Sequence, residues 1–264
     1  MENERYGNQC TGDMFHTLSH RYRRSREQDG VERASLFHIY QGIKSCDNGE
    51  AAMGVIFDNV EFILGDCIEY LRKCEDDSFD LAIVDPPYGL TTDGYRFNGS
   101  RYKRYRKECH IEWDTAPSKE YFDELFRVSK RQIIFGANFF ALPPTKCFIV
   151  WDKKIPQQFS FGQAEYAWTS FQDRNSKIYR HAPQGTKKHP RIHPTQKPIG
   201  LYDWIYDNFS EESWRVLDTH LGSGSNAISA HGRPIEFVGI EINEYYYSKS
   251  IERFREEVGI WANP

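Results

Sequence analysis

A regular alternation of strand-like and helix-like segments is the feature that most restricts the fold of this chain. The apolar run Val60–Leu64 predicts a strand, and residues 68–74 place apolar side chains at the spacing of a helix face. Leu81–Val84 is entirely apolar, which is typical of a strand buried on both faces of a parallel sheet. Strands that alternate with helices predict an α/β fold, here a doubly wound and mostly parallel sheet.

The alternation continues toward the carboxyl end of the chain. Ser118 is a suitable N-cap for a helix whose apolar residues share one face, and Pro198 suits the first turn of another helix. We predict further strands at residues 132–135, 147–151, 216–218 and 237–241, and helices that follow Ser118, Pro198 and Ser225 and that span about residues 244–257.

Three regions do not follow this pattern. Residues 1–52 show no sustained period and are predicted to form a poorly ordered N-terminal extension. Residues 89–112 form a basic loop, and residues 153–191 are rich in polar, basic and aromatic side chains, which predicts an insertion. The main domain is therefore expected to span residues 53–264.

The composition is that of a globular protein, with 264 residues of which 39% are hydrophobic and 27% are charged. No apolar run approaches the ~20 residues that cross a bilayer, and the first residues lack the apolar core of a secretory signal. We therefore expect a cytoplasmic protein with no membrane partner. The six cysteines are scattered without a C-x-x-C pair, so no metal site is expected.

The formal net charge of −4 conceals two basic patches, and local patches attract polyanions whatever the mean charge is. Six Lys/Arg residues and no acid lie between residues 96 and 107, interleaved with aromatic residues. Seven Lys/Arg residues and one acid lie between residues 173 and 197. These patches predict contacts with DNA phosphates. The candidate DNA-binding residues are Arg96, Arg101, Lys103, Arg104, Arg106, Lys107, Arg174, Lys177, Arg180, Lys187, Lys188 and Arg191.

A glycine turn follows the predicted strand at residues 216–218. Gly222 and Gly224 let the backbone approach a ligand, and the helix after them supplies free N–H groups. Glu241 ends the next strand, nineteen positions beyond Gly222, where a carboxylate can accept hydrogen bonds from both hydroxyls of a ribose. The pattern predicts an adenosine-type ligand, although nicotinamide enzymes and ordinary tight turns share it.

The sequence Asp-Pro-Pro-Tyr at residues 85–88 directly follows the buried strand Leu81–Val84. The two prolines fix the backbone so that the carboxylate of Asp85 and the carbonyl of Pro86 can both point outward from the strand end. These two acceptors match the two hydrogens of an exocyclic amino group, and Tyr88 offers a flat face on which a base can stack. The motif predicts a pocket for the amino group of a nucleobase.

With these motifs, the chain resembles the amino-methylating DNA methyltransferases of the β class. In that class the catalytic Asp-Pro-Pro-Tyr precedes the cofactor glycine motif. The chain is also similar to phage-encoded DNA adenine-N6 methyltransferases. The resemblance covers about residues 55–255. It rests on Gly-Asp at residues 65–66, Asp-Pro-Pro-Tyr at 85–88, His-Pro-Thr-Gln-Lys-Pro at 193–198, and residues 218–224 with Glu241. It implies a circularly permuted fold like that of class I S-adenosylmethionine-dependent methyltransferases, with residues 153–191 as the target-recognition region.

The resemblance also implies roles for individual residues. Asp66 would bond the adenine of S-adenosylmethionine, Glu241 its ribose, and Asp218 with the glycines would frame its methionine part, while residues 195–197 would close over the methionine carboxylate. The implied catalytic residues are Asp85, Pro86, Pro87 and Tyr88. The implied cofactor-binding residues are Asp66, Thr195, Gln196, Lys197, Asp218, His220, Gly222, Ser223, Gly224 and Glu241.

One segment departs from the family pattern Asp-Pro-Phe-x-Gly-Ser-Gly. This chain has Thr219 and His220 in place of the proline and the phenylalanine. Because that aromatic ring normally packs beside the cofactor, we expect this part of the pocket to have a different shape.

The implied reaction is methyl transfer from S-adenosylmethionine to the N6 amine of adenine in double-stranded DNA, after the base is flipped out of the helix. Aspartate rather than serine before Pro-Pro-Tyr favours adenine, but transfer to cytosine N4 stays open, because the same acceptors serve either amine. A nicotinamide-dependent oxidoreductase is a distant alternative, since the 23 residues after Glu241 are too few for the remaining strands of an unpermuted dinucleotide fold.

The third alternative is a catalytically silent DNA-binding module, which the intact motif at residues 85–88 argues against. The resemblance leaves two further partners open, a second copy of the chain in a homodimer and a cognate restriction endonuclease. The expected compartment is the cytoplasm of a bacterium or of a phage-infected host cell.

Overall fold

The computed structural model describes residues 40–41, 44–45, 51–90, 114–159, 162–183 and 191–259. The strands are β1 (Tyr40–Gln41), β2 (Lys44–Ser45), β3 (Ala51–Phe57), β4 (Val60–Leu64), β5 (Leu81–Val84), β6 (Gln132–Phe135), β7 (Phe148–Asp152), β8 (Ala164–Thr169), β9 (Lys177–Arg180), β10 (Arg215–Asp218) and β11 (Glu236–Glu241). The helices are α1 (Cys67–Lys73), α2 (Lys119–Val128), α3 (Ile199–Phe209), α4 (Ser225–Ala230) and α5 (Glu244–Val258).

These strands form one sheet in the order β1-β3-β4-β11-β10-β5-β6-β8-β7-β9, and β2 pairs with β3. The central strands β4, β11, β10, β5 and β6 are parallel to one another. At both sides of this centre the pairing becomes antiparallel, between β3 and β4 and between β6 and β8. The prediction of a mostly parallel sheet therefore holds for the centre, and the whole sheet is mixed.

Helices cover both faces of the sheet, as a doubly wound fold requires. One apolar cluster joins Leu201 of α3, Ala227 of α4 and Ile251 of α5 to the sheet. The other cluster joins Leu71 of α1 and Leu125 of α2 to the opposite face. The strands of the parallel centre are buried on both faces for this reason, which explains the uninterrupted apolar run of β5.

The helix starts agree with the capping signals in the sequence. Ser118 is the N-cap of α2, as predicted, and its side chain accepts a hydrogen bond from the N–H of Tyr121. Asp66 is the N-cap of α1 and accepts from the N–H groups of Ile68 and Glu69. A side-chain acceptor at this position satisfies N–H groups that have no partner within the helix, so both helices begin where the sequence specifies.

Two predicted boundaries need correction. The extension predicted for residues 1–52 overlaps the sheet, because β1 and β2 both pair with β3. The insertion predicted for residues 153–191 is also part of the sheet, because β8 pairs with both β6 and β7 and β9 pairs with β7. The alternation was weak here because β9 is an edge strand with three exposed residues, and edge strands need no apolar face on both sides.

No helix in the described part of the chain is long and apolar enough to cross a membrane. The basic loop at residues 96–107 and the lysines at 187 and 188 lie outside the described residues.

Candidate active site

Four carboxylates lie at the carboxyl ends of four neighbouring parallel strands. In the sheet order β4-β11-β10-β5, Asp66 follows β4, Glu241 ends β11, Asp218 ends β10 and Asp85 follows β5. Parallel strands end at the same edge of the sheet, where ligands of doubly wound folds bind. The topology thus brings residues that are far apart in the chain into one row.

Asp85 and Tyr88 are joined by a hydrogen bond at the end of the row. The phenol of Tyr88 donates to Oδ1 of Asp85 at 2.7 Å. Burial, together with the charge of Asp85, raises the pKa of Tyr88 well above its usual range, so the phenol stays protonated and remains a donor. Its ring stacks on Phe139, with centroids 4.7 Å apart and 17° between the planes.

Lys197 contacts the motif at residues 85–88. Its buried ammonium makes an ion pair with Oδ2 of Asp85, a contact that the sequence did not predict. Its backbone carbonyl accepts a hydrogen bond from the hydroxyl of Ser225 at 2.7 Å. Lys197 therefore connects the start of α4, after the glycine turn, with the motif at residues 85–88.

A second carboxylate shares the ammonium of Lys197. Oε2 of Glu165, on β8, lies 3.4 Å from Nζ of Lys197, and Oε1 of the same carboxylate lies 2.5 Å from Nζ of Lys153. Sequence reasoning missed Glu165 and Lys153, because both lie within the stretch interpreted as an insertion. The only sequence signal for them was a strand-like segment, Ala164–Thr169, that carries one charged residue.

The glycine turn and Glu241 form one hydrogen-bonded unit. Oε2 of Glu241 accepts from the N–H of Gly222 at 2.8 Å, and Oε1 accepts from the N–H of Asn243 at 2.9 Å. Gly222 and Gly224 have φ values of 53° and 73°, which glycine adopts without strain. Burial raises the pKa of Glu241. The carboxylate is thus held in a fixed orientation at the end of β11.

Asp218 is enclosed below the glycine turn. Its Oδ2 accepts from Asn226 at 2.9 Å and its Oδ1 accepts from the N–H of His220 at 3.0 Å. Burial raises the pKa of Asp218 to about 7. These bonds orient the carboxylate, and no motif in the sequence indicated that Asn226 contacts it.

His220 takes part in a short polar network instead of the aromatic packing of the family pattern. Its Nδ1 lies 2.9 Å from the hydroxyl of Thr219, which lies 2.7 Å from the phenol of Tyr121. Its Nε2 lies 4.0 Å from Sγ of Cys67. Burial lowers the pKa of His220 to about 4 and raises that of Cys67 to about 12. Both side chains are therefore neutral at pH 7.

The remaining residues of the predicted cofactor group lie around this turn. His193 is buried, with its ring 4.3 Å from that of Tyr246 and its Nδ1 3.0 Å from the hydroxyl of Thr195. The amide oxygen of Gln196 accepts from the N–H of Ile192 at 3.0 Å. Gln196 therefore braces the loop that carries Lys197. The hydroxyl of Ser223 lies 3.2 Å from that of Ser225.

Two described members of the predicted DNA-binding group, Arg174 and Lys177, contact Asn208 of α3. The guanidinium of Arg174 donates to the carbonyl of Asn208 and lies over the rings of Phe171 and Phe209. Lys177 donates to the side chain of Asn208 at 3.2 Å. The predictions for Arg96, Arg101, Lys103, Arg104, Arg106, Lys107, Lys187 and Lys188 concern residues outside the described ranges, while Arg180 and Arg191 lie within them.

Within the described ranges, no group of three or more His, Cys, Asp or Glu side chains is placed to hold a metal ion. The chemistry of the site rests on the carboxylates, on Lys197 and on the aromatic rings around Tyr88.

One family of known proteins matches part of the chain. Residues 144–252 match the family N6_N4_Mtase, which is described as DNA methylase. The segment contains Glu165, Lys197, Asp218 and Glu241, and it begins after Asp85.

The resemblance to known proteins extends beyond residues 144–252. The chain is 25% identical over 248 residues to the type II methyltransferase M2.MboI of Moraxella bovis, which covers 78% of this chain and 91% of that protein. It is 26% identical over 246 residues to the DNA adenine methyltransferase YhdJ of Escherichia coli (strain K12), which covers 72% of this chain and 81% of that protein.

A solved structure confirms the fold class. The cytosine-N4-specific PvuII DNA methyltransferase matches with a TM-score of 0.52 and 12% sequence identity, over 76% of this chain and 92% of that one. The predicted methyltransferase-like α/β fold is therefore correct.

Proposed function

We propose that this protein transfers a methyl group from S-adenosylmethionine to the N6 amine of adenine in double-stranded DNA. The observation that carries the proposal is the row of Asp66, Glu241, Asp218 and Asp85 on neighbouring parallel strands. It supports a cofactor pocket beside a motif that could hold an amino group.

The residues of the row suit S-adenosylmethionine. Asp66 offers an acceptor for the adenine amine, and Glu241, oriented by Gly222 and Asn243, offers acceptors for the ribose hydroxyls. The ligand carries a sulfonium and an ammonium, and an anionic row favours a cation. When bound, its sulfonium supplies an activated methyl group.

The motif at residues 85–88 would hold the acceptor amine. Each carboxylate oxygen has two acceptor directions, so Asp85 can accept from the amine while it keeps Tyr88 and Lys197. Hydrogen bonds to Asp85 and to the carbonyl of Pro86 draw the nitrogen lone pair out of conjugation with the ring. Positive charge then develops on nitrogen beside a carboxylate, which lowers the barrier, and Asp85 accepts the proton that leaves.

Tyr88 would stack on the flipped base. Phe139 now lies on the ring of Tyr88, but its side chain is 43% exposed, so displacing it costs little apolar burial. Base flipping itself costs a few kcal/mol, which contacts with Tyr88 and Asp85 would offset.

The choice of adenine rests on the aspartate before Pro-Pro-Tyr and on the similarity to the adenine methyltransferase YhdJ. Cytosine N4 is the second candidate, because the neighbour of PvuII type is cytosine-N4-specific and the acceptors of Asp85 and Pro86 suit either amine.

The test is incubation of the purified chain with isotopically labelled S-adenosylmethionine and unmethylated duplex DNA of mixed sequence, followed by mass spectrometry of the nucleosides. We expect labelled N6-methyladenine. Labelled N4-methylcytosine would overturn the choice of base, and the absence of any labelled nucleoside would overturn the proposal.

The Asp85→Ala variant is the matched control for this assay. We expect it to abolish methyl transfer and to leave cofactor binding, measured by calorimetry, within about threefold, because Asp85 faces the amine and not the cofactor body. Turnover near that of the parent would remove Asp85 from the reaction.

A further inference from the structure

A row of alternating charges, with Lys197 as its buried member, leads from the end of β7 to the motif at residues 85–88. Lys153 contacts Glu165 at 2.5 Å, Glu165 contacts Lys197 at 3.4 Å, and Lys197 makes the ion pair with Asp85. The two ammonium groups and the two carboxylates sum to zero net charge. Lys153 directly follows β7, and Glu165 lies on β8. Both residues lie outside every motif on which the resemblance rests.

Lys197 needs opposite charges nearby to remain charged in this place. Its side chain is 2% exposed, and removing an ammonium from water costs several kcal/mol unless opposite charges compensate. Its Nζ also lies 4.6 Å from the ring centroid of Phe135, and a ring face attracts a cation only weakly compared with a carboxylate. Glu165 therefore supplies a large part of the compensation.

The pKa values follow the same arrangement. Burial acts to lower the pKa of Lys197, but the charges of Asp85 and Glu165 hold it above its usual range. Burial acts to raise the pKa of Glu165, but Lys197 and Lys153 hold it below its usual range. The pair is thus ionised across neutral pH.

We infer that Glu165 is a positioning residue that acts through Lys197: it neutralises the ammonium that orients Asp85 toward the acceptor amine. This inference rests on the proposed function, since it assigns Asp85 to the amine. The orientation matters because small misplacement of a reacting group lowers rates by up to about 100-fold.

The charge of Glu165 also affects the reaction itself, because it compensates the charge of Lys197. During methyl transfer, positive charge moves from the sulfonium to the acceptor nitrogen beside Asp85. An uncompensated ammonium at Lys197 would repel that charge in a site of low polarity, where such repulsion is strong. Glu165 cancels this repulsion while it leaves Lys197 free to orient the carboxylate.

The test is a double-mutant cycle with Glu165→Gln, Lys197→Met and both changes together. Glu120→Gln is the matched control, because Glu120 makes an exposed ion pair with Arg72 away from the row. We expect Glu165→Gln to lower kcat by about 10- to 100-fold and to change the dissociation constant of S-adenosylmethionine by less than about twofold. In the Lys197→Met background, the same change should cost less than about threefold, because a residue that acts through Lys197 has nothing left to act on.

The pH profile gives a readout that a merely structural residue would not move. The titratable groups that interact with Lys197 are Asp85, Glu165 and His193, and Lys153 lies on the far side of Glu165. With Glu165→Gln, Lys197 loses one anion while it stays buried, so its pKa falls and the alkaline limb of kcat should move down by about one pH unit or more. A parental alkaline limb would overturn the inference.

Three further results would overturn the inference about Glu165. The first is a kcat for Glu165→Gln equal to that of Glu120→Gln, and the second is that the losses in kcat multiply in the double variant. The third is that Glu165→Gln loses as much cofactor affinity as it loses in kcat. If Glu165→Gln alone does not fold, the double variant decides, because replacing both partners of a buried pair is tolerated better than leaving one charge alone. If the parent protein and the Glu120→Gln variant are active, the proposed function stands, whatever the Glu165 variants do. If both of these proteins are inactive, the proposed function itself is wrong.

Discussion

The backbone of Gly136 lies against the ring of Tyr88, so close that a Cβ on the glycine would stand 2.2 Å from Cε1 of the tyrosine. Gly136 directly follows β6, and β6 is the neighbour of the strand that precedes Tyr88. The position of the aromatic ring is therefore set by the adjacent strand as well as by its own motif.

Gly136→Ala should displace Tyr88 and lower methyl transfer by about 10-fold or more, with little change in cofactor affinity. Gly232→Ala is the matched control, because Gly232 has a φ of 75° against 73° for Gly136 and no atom within 4 Å of its Cβ position. Both variants should lose about 1 kcal/mol of unfolding free energy, measured in urea. Equal activities in the two variants would contradict the steric explanation.

Glu241→Ala should weaken S-adenosylmethionine binding by about 1 to 3 kcal/mol, the range for losing hydrogen bonds to a charged acceptor. It also frees the N–H groups of Gly222 and Asn243, which Glu241 now accepts from. Glu236→Ala, at the exposed start of the same strand, is the control and should bind normally. Calorimetry that shows the parental affinity for Glu241→Ala would remove Glu241 from the site.

His220→Phe should make the stability of the protein less dependent on pH. Burial lowers the pKa of His220 from 6.5 to about 4 in the folded state, so between these values only the unfolded state binds the proton. The contribution of His220 is complete above about pH 6.5 and is lost as the pH falls toward 4. Because the ring keeps some exposure to water, we expect about 1 to 2 kcal/mol.

The measurement for His220→Phe is urea unfolding at pH 5 and pH 7. The difference in unfolding free energy between the two pH values should be smaller in the variant than in the parent. An unchanged difference would show that His220 titrates in the folded protein as it does in the unfolded chain.

Neutralising Arg101, Lys103, Arg104 and Arg106 together should weaken DNA binding similarly for all sequences. The salt dependence should also flatten, because each phosphate contact contributes a slope of about −0.9 in log K against log salt concentration. Cofactor affinity serves as the control and should not change. A parental salt slope would exclude this loop as a phosphate-binding segment and direct attention to the basic residues between 174 and 191.

The sequence by itself determined the local elements and the chemistry-bearing motifs. Period and capping predicted β5, α2 and the start of the glycine turn, because a buried strand, an N-cap and a positive φ each demand particular residue types within a few positions. Asp85 and Glu241 were identified from the residue patterns at two strand ends, whereas Asp66 and Asp218 were identified through the resemblance to the methyltransferase family.

The tertiary structure alone decided how these pieces meet. It brought the ammonium of Lys197 to the carboxylate of Asp85, and it brought Glu165 from a region interpreted as an insertion into contact with Lys197. Neither contact has a local signal. Asp85 and Lys197 are 112 residues apart in the chain, and only the order of the strands in the sheet brings them together. A buried charge needs an opposite charge, but which residue supplies it depends on the packing of distant strands.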